Sequence, residues 1–436
     1  MTEPSKKLPL LPQTWSTVRV DEVFVIQQGK QVSKKNRIGN NQRPFLRTRN
    51  VFWGRLDLSD LDHMHFSVSD EERLALKKGD LLLCEGGDVG RTAVWQNQVP
   101  RCYYQNHLHR LRTANEKIDP EFALYWFWYA FELSKIYFGR KNVTTIPNMS
   151  KSRLAELPMP KPLLSEQQKI AALLLSIQRA IEQQERLIAL TTELKKVLMH
   201  KLFTEGTRGE KQKQTEIGPV PESWDVVPIG GLGTCVTGST PRTAVKENYC
   251  PPERDFIAPA DLGQTKYIYE SERQISVAGL ATVRPLPRDS LLCVCIGSSL
   301  GKTGMTYKVE SCTNQQINAI ICDKSNNANF VYYLLTYHSD YWRNHATFGT
   351  VPILSKGRFC QVRVPYTSNQ AEQEDIASAL VACDVKLEYY MSKLKKYQEL
   401  FNTLLHQLMT AQIRVNNLDL TELDYEPITT GREEVI

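Results

Sequence analysis

Several short stretches of the chain carry residue types that could act on a nucleotide. Gly297-Ser-Ser-Leu-Gly301-Lys302-Thr303 has the composition of a phosphate-cradling loop, in which backbone N–H groups and a lysine hold a polyphosphate. That loop requires four residues between its glycines, and the residue five before Gly301 is Ile296. The spacing therefore argues against it. The first half of the chain carries Gly86-Gly-Asp-Val-Gly90-Arg91 at the matching place, which favours a shared structural turn. Gly230-Gly-Leu-Gly233 fails the dinucleotide fingerprint, and no strand and helix flank it in the required way.

Other patterns fall short for stated chemical reasons. Cys250-Pro-Pro-Glu253 is superficially similar to the Pro-Pro tetrad with which amino-methyltransferases grip a flipped base, but that grip needs an Asn or Asp and an aromatic ring, and Cys and Glu stand there instead. His63-Met-His65 and His107-Leu-His109 place two imidazoles on one strand face, half of a metal site; no carboxylate or thiol is held beside them by spacing, and surface or packing roles are commoner. Glu193-Leu-Lys195 is the E-x-K fragment of many nucleases, without the preceding aspartate loop. It falls inside a long amphipathic helix, which disfavours metal-dependent phosphodiester cleavage.

What remains is binding chemistry. Lys34, Lys35, Arg37, Arg43, Arg47 and Arg49 crowd the loops of the first half, and Arg242, Lys246, Arg254 and Lys266 those of the second. Such cations can neutralise phosphates or contact guanine, and the amides of Asn40, Asn41, Gln42 and Asn50 can pair with base edges. A solvated polar loop would have the same composition. The case for DNA is strengthened because the chain does this twice.

The elements that must position these loops are two long helices. From Ile376 the residues Leu380, Cys383, Leu387, Tyr390, Leu394, Tyr397, Phe401, Leu404 and Leu408 alternate spacings of four and three, a heptad seam seeking a partner helix. Positions 206 earlier are Ile170, Leu174, Ile177, Ile181, Gln184, Ile188, Thr191, Lys195, Leu198 and Leu202, so the seam recurs in register. Its polar members Gln184, Thr191 and Lys195 correspond to Tyr390, Tyr397 and Phe401. A polar seam residue fixes register at a cost in stability. Each helix is expected to begin behind a cap, Ser165 with Gln168 or Asn369 with Glu372.

The repeat reaches beyond the helices. Pro12-Gln-Thr-Trp15 and Pro221-Glu-Ser-Trp224 open the halves, each before a short alternating stretch (Val18, Val20; Val227, Ile229) that reads as a half-buried strand. Strand and turn signals then follow in parallel, through Phe45–Val51 and Phe256–Leu262 to Gln105–Leu111 and Asn314–Ile320. Aromatic helices start near Phe122 and Phe330, and each half closes on Thr145-Ile-Pro147-Asn-Met-Ser150-Lys151 or Thr350-Val-Pro352-Ile-Leu-Ser355-Lys356. The expected fold class is α/β (mixed α+β): two tandem domains joined by two long antiparallel helices forming a coiled coil, with a pseudo-two-fold internal repeat. The expected segments are a first domain 1–163, a first helix 164–205, a linker 206–220, a second domain 221–368, a second helix 369–412 and a loosely held tail 413–436. Thirty-nine helical residues, Ser165 to Phe203, span roughly 58 Å at ~1.5 Å each, longer than the ~34 Å of one DNA turn. Such helices can act as a ruler.

Composition agrees without deciding. The 436 residues suffice for two or three cores, and a net charge of +6 permits a polyanionic partner without requiring one. Ten cysteines show no metal-finger spacing and are expected as reduced thiols. The N-terminus lacks an export core, and Ala123–Phe131, the most apolar run, is too short for a bilayer. A cytoplasmic location with no membrane partner is expected.

On these residues the chain resembles the specificity subunits of type I restriction-modification systems. The tandem plan carries the likeness, with the Glu166-Gln167 and Glu372-Gln373 helix starts and the Thr-x-Pro-x-x-Ser-Lys motifs. The connector is its most specific part: Leu202-Phe-Thr-Glu-Gly-Thr-Arg-Gly-Glu210 through Glu216-Ile-Gly-Pro-Val-Pro-Glu-Ser-Trp224. The resemblance implies two target-recognition domains, each reading half of a bipartite asymmetric sequence in double-stranded DNA, with the helices setting the spacer. It implies no catalysis and no cofactor in this chain. Two modification subunits would bring S-adenosylmethionine and methylate adenine N6, and restriction subunits would bring ATP and Mg for translocation and cleavage. The family's base-reading residues form no transferable motif, so the loop residues above rest on chemistry alone. The other readings are a self-contained methyltransferase or nuclease, which predicts S-adenosylmethionine binding by the isolated chain, and a coiled-coil scaffold, which predicts no sequence-selective DNA binding even with partners added.

Overall fold

The computed structural model describes residues 8–114, 117–137, 148–347, 349–415, 417, 419 and 425. The chain divides into two units, residues 1–183 with 394–436 and residues 184–393. Each long helix, Leu164–Glu205 and Gln370–Met409, contributes one part to each unit.

In the first unit a four-stranded antiparallel sheet has the order Phe24–Gln28, Leu108–Thr113, Leu81–Cys84, Thr92–Val94. A three-stranded sheet, Asp62–His65, Gln42–Leu46, Tyr103–Tyr104, lies beside it, and Ser16–Arg19 pairs with Pro158–Lys161. The second unit repeats the plan. Gly233–Thr237, Ile317–Cys322, Leu291–Val294 and Thr303–Thr306 stand in the same order, extended by Tyr267–Ile268. Gln274–Ile275, Arg254–Ile257 and Cys312–Thr313 form its three-stranded sheet, and Asp225–Pro228 pairs with Arg363–Tyr366. Both opening strands stop just before Val20 and Ile229, whose N–H groups instead bond Leu157 and Val362 carbonyls.

Local chemistry explains the helices that face these sheets. Asp119 accepts from Phe122 N–H at 2.9 Å and Pro120 takes the first turn, where its missing donor costs nothing. The run after it is buried throughout Phe122–Phe127, as its uninterrupted apolar sequence requires. Asn327 caps the corresponding helix Ala328–Tyr337 by accepting from Asn329 and Phe330 N–H. Ser150 and Ser355 cap the short helices Lys151–Ala155 and Lys356–Gln361. Thr145, Ile146 and Pro147 of the first closing motif lie outside the described residues.

The long helices run antiparallel within each unit. In the first, Ile170, Leu174 and Ile177 share a core with Phe401, Leu405 and Leu408. In the second, Met199 and Phe203 share one with Ile376, Ala377 and Leu380. The other apolar seam members, Ile181, Ile188, Leu198 and Leu202 of the first helix and Leu387, Tyr390, Leu394, Tyr397 and Leu404 of the second, are half-buried. Of the polar seam members, Gln184 is buried and Lys195 is bound to Asp384 at 2.5 Å.

Two expectations change at the helix starts. The first long helix begins at Leu164, with the Leu163 carbonyl accepting from Glu166 and Gln167 N–H, so Ser165 lies inside the first turn and is not the cap. Asn369 does cap the second helix, accepting from Ala371 and Glu372 N–H; Glu372, however, turns away from the capping box to other donors. Within the expected linker, Gln212–Thr215 and Gly218–Pro221 form a hairpin. Gly206 ends the first helix at φ +66 with its N–H on the Leu202 carbonyl, a left-handed conformation that a β-carbon disfavours. The described tail residues are tied down, Arg414 to Glu166 and Tyr425 to Asp119; most of 416–436 lies outside the described residues.

Candidate nucleic-acid interface

The basic loops of the first unit gather on its three-stranded sheet. Ser33 caps a helical turn, accepting from Asn36 N–H, and leaves Lys34, Lys35 and Arg37 exposed. The neighbouring arginines have partners already. Arg43 Nε lies 2.7 Å from Glu71, Arg47 is 2.8 Å from Asp62, and Arg49 is 3.0 Å from both Asp60 and Asp62. The Asn41 amide and the Arg43 guanidinium together hold the Glu71 carboxyl below its ordinary range. These pairs fix the guanidinium directions, and a phosphate would have to compete with a carboxylate for them. Arg37, Phe45, Arg47, Asp62 and His63 line a polar cavity of about 300 Å³.

In the second unit Arg242 and Lys246 are exposed, and Arg254 is half-buried against Glu310 at 3.2 Å. A more open cavity of about 440 Å³ lies among Thr243, Lys246, Tyr249, Cys250 and Arg273, and the Arg273 guanidinium sits 5.5 Å over Phe256. Phe45 and Phe256 occupy corresponding strands, so both units carry a basic recess beside the same sheet.

Two candidate readers are removed by burial. Lys266 is 6% exposed, bonded to Asn329 Oδ1 at 2.5 Å and set over the Tyr267 and Tyr333 rings; burial lowers its pKa, and it cannot reach a phosphate. Asn50 is 3% exposed, and its amide bonds the Asp57 and Asp60 carbonyls while accepting from Arg47 N–H. It shapes the loop from within. Asn41 is similarly engaged with Phe66 and Glu71, and Gln42 with Arg37 and Gly39 carbonyls.

The excluded motifs keep structural roles. Gly90 N–H bonds Cys84 O and Gly301 N–H bonds Val294 O, closing corresponding hairpin turns of which the second is one residue longer. His65 accepts from Asn41 N–H, and His109 is buried against the Met149 carbonyl, with its pKa lowered by burial. Among the described residues no group of three or more His, Cys, Asp and Glu side chains is arranged to hold a metal ion, and no helix is long and apolar enough to cross a membrane.

The duplicated fold has a counterpart in known proteins. A family model described as the type I restriction modification DNA specificity domain matches residues 12–192 and again residues 221–398. The chain belongs to the family of type I restriction-modification specificity subunits. It is 22% identical over 428 residues to the MjaVIII specificity subunit of Methanocaldococcus jannaschii, covering 94% of this chain and 95% of that one. The MjaIX specificity subunit of the same organism is 32% identical over 186 residues, 40% of this chain and 41% of that one. The crystal structure of a type I S subunit from M. genitalium shares the fold, with a TM-score of 0.62 and 17% identity over 93% of this chain and 99% of that one.

In this specificity subunit the residues that fasten each recognition domain to its helices are the ones quoted from the sequence without a known purpose. Trp15 Nε1 donates to Glu166 at 3.0 Å, and Trp224 Nε1 donates to Glu372 at 3.1 Å. The adjoining glutamines act in the same way. Gln167 Oε1 accepts from Asp119 N–H and Gln373 Oε1 from Asn327 N–H, both at 2.8 Å, at the caps of the aromatic helices. Each Glu-Gln dipeptide therefore locks an opening strand and an aromatic helix to one helix start. The remaining carboxylate capacity differs: Arg414 makes two contacts to Glu166 at 2.7 and 3.1 Å, while Glu372 takes Thr207 and Thr367. Recurrence of tryptophan and Glu-Gln signalled importance, but pairing across 151 and 148 residues could not be seen without the fold. Nothing in their spacing marks Asp62 or Arg273, and the His63-Met-His65 spacing points to a metal site and not to the recess that His63 lines.

Proposed function

We propose that the two recognition domains each read one half of a bipartite, asymmetric sequence in double-stranded DNA, and that the paired helices set the spacing between the halves. The observation that carries this reading is the repetition of one domain plan with different loop residues. Exposed Lys34, Lys35 and Arg37 stand in the first domain, Arg242 and Lys246 in the second. Equal scaffolds bearing unequal loops suit a target whose halves differ.

The chain itself performs no bond chemistry in this reading. Two modification subunits supply S-adenosylmethionine and transfer methyl groups to adenine N6, and restriction subunits supply ATP and Mg; the assembly works in the cytoplasm. Leu187, Leu190, Leu194 and Val197 support partner docking. They are 37–58% exposed on the first long helix and follow spacings of three, four and three, a second apolar stripe beside the buried seam. A partner helix can cover such a stripe.

Exchange of residues 15–160 for the equivalent segment of another family member is expected to change one half-site only, as read by sequencing adenine methylation in cells that also carry the modification subunit. Change in both halves would defeat modular readout. Insertion of whole helical turns beside Gly206 should lengthen the spacer with the half-sites unaltered. The isolated chain should not bind S-adenosylmethionine in a calorimeter, whereas a self-contained methyltransferase would.

A further inference from the structure

Residues 206 positions apart are counterparts on the two long helices, and one such set is built from opposite chemistry. In the first unit Tyr125 OH donates to Gln178 Oε1 at 2.9 Å, and its ring meets Phe401 edge-on at 6.1 Å. In the second, Tyr333 OH donates to Asp384 Oδ2 at 2.5 Å. Lys195 Nζ donates to the other carboxylate oxygen at 2.5 Å and lies 5.2 Å over the Tyr333 ring. Gln178 corresponds to Asp384, and Phe401 to Lys195. Each junction thus takes one residue from each helix and a tyrosine from the aromatic helix, one set neutral and the other charged.

We infer that these junctions form a pairing code by which the first long helix accepts the second and refuses another copy of itself. The helices are antiparallel, so a symmetric pair of second helices would set Asp384 against Phe401 of the other copy. A symmetric pair of first helices would set Lys195 against Gln178. In both arrangements an ion 13–18% exposed loses the partner it has in the native pair. A buried charge without its counterion destabilises far more than the intact pair stabilises, so the code works by penalising the wrong match. Lys266 lies 5.3 Å over Tyr333 but is bonded to Asn329, which leaves Lys195 as the cation in contact with Asp384. In the first unit Glu182, 3.1 Å from Gln178 Nε2, would partly answer a lysine. The self-pair of first helices is therefore the less strongly refused.

Single substitutions in the full-length chain recreate each self-pair at one junction. Lys195→Phe gives the second unit the Asp-against-Phe match and should lower the melting midpoint by ~5–15 °C. Adding Asp384→Gln, which copies the neutral set of the first unit, should bring it back to within ~2 °C of the parent. Phe401→Lys should lower the midpoint by ~6–15 °C through lost ring packing as well as unmatched charge, and Gln178→Asp in the same chain should recover the charge-dependent part, ~2–4 °C. Rescue by the second change separates charge matching from simple loss of packing. Lys195→Phe melting within ~1 °C of the parent, or the Lys195→Phe/Asp384→Gln chain melting no higher than Lys195→Phe alone, would overturn the code.

Discussion

The two units share a strand order and a helix-start lock, and both bury apolar side chains between their helices, yet at the matching junction they use different forces. In the first unit the contact is aromatic: Trp53 stacks on Trp128 at 5.5 Å, and Trp128 meets Phe401 at 4.8 Å. In the second the place of Trp128 belongs to Thr336, bonded to Thr303 at 2.8 Å, and the helices are held by Lys195, Asp384 and Tyr333, with Tyr269 on Glu388 at 2.8 Å. Glu121 and Asn329 are likewise counterparts; the first is a buried acid, the second a neutral amide accepting from Lys266. Duplication has conserved the geometry of attachment and let its chemistry diverge. Apolar contact is non-directional and tolerant of salt, whereas an ion pair demands its particular partner.

The contrast can be broken by measurement, most severely at Phe401. Phe401→Ala should cost about 3–5 kcal/mol by opening a cavity among aromatic rings, with faster hydrogen exchange confined to the first unit and little dependence on salt. Asp384→Asn should cost about 2–3 kcal/mol through the stranded Lys195, and exchange should quicken in the second unit instead. Equal loosening of both units in either variant would mean that the junctions are not separate.

A milder test uses pH. Burial pushes the Glu121 carboxyl up to about 7 from 4.5, so the folded chain holds this proton more tightly than the unfolded one. The stability this confers is complete below the unfolded value and is lost as pH rises through the folded one. Glu121→Gln should therefore gain about 3 kcal/mol at pH 8 and nothing at pH 4, while the second unit, with Asn329 at the counterpart, shows no matching change. The smallest effect concerns the locks: Trp15→Phe and Trp224→Phe should each cost about 1 kcal/mol, because the glutamates keep other donors. Denaturant titration with exchange measured separately in each unit reads both.

Much of the fold was legible because its signals are periodic. Heptad spacing marked both helices, and a repeat at an offset near 209 aligned Trp15 with Trp224 and Gln105 with Asn314. Caps were less legible: Ser165 has the right chemistry, but the Leu163 carbonyl starts the helix two residues earlier. The candidate site was harder still. Charge in a loop can be counted, but burial cannot, and Lys266 and Asn50 look like Lys246 and Asn40 until the chain is folded. Lys195, read as a polar seam residue, proved to belong to an ion pair whose acid lies off the seam.

The Glu-Gln lock has a consequence for how such proteins diversify. A dipeptide on the helix supplies the lock, and an incoming domain must bring to it a tryptophan just before its opening strand and an aromatic helix whose cap N–H can reach the glutamine. Beyond these and the aromatic-helix side chains that meet the helix pair, such as Tyr125 and Tyr333, the domain is free to drift. Genetic exchange could thus replace a reader wholesale without retuning the framework that receives it, much as a tool head is changed on a fixed shaft.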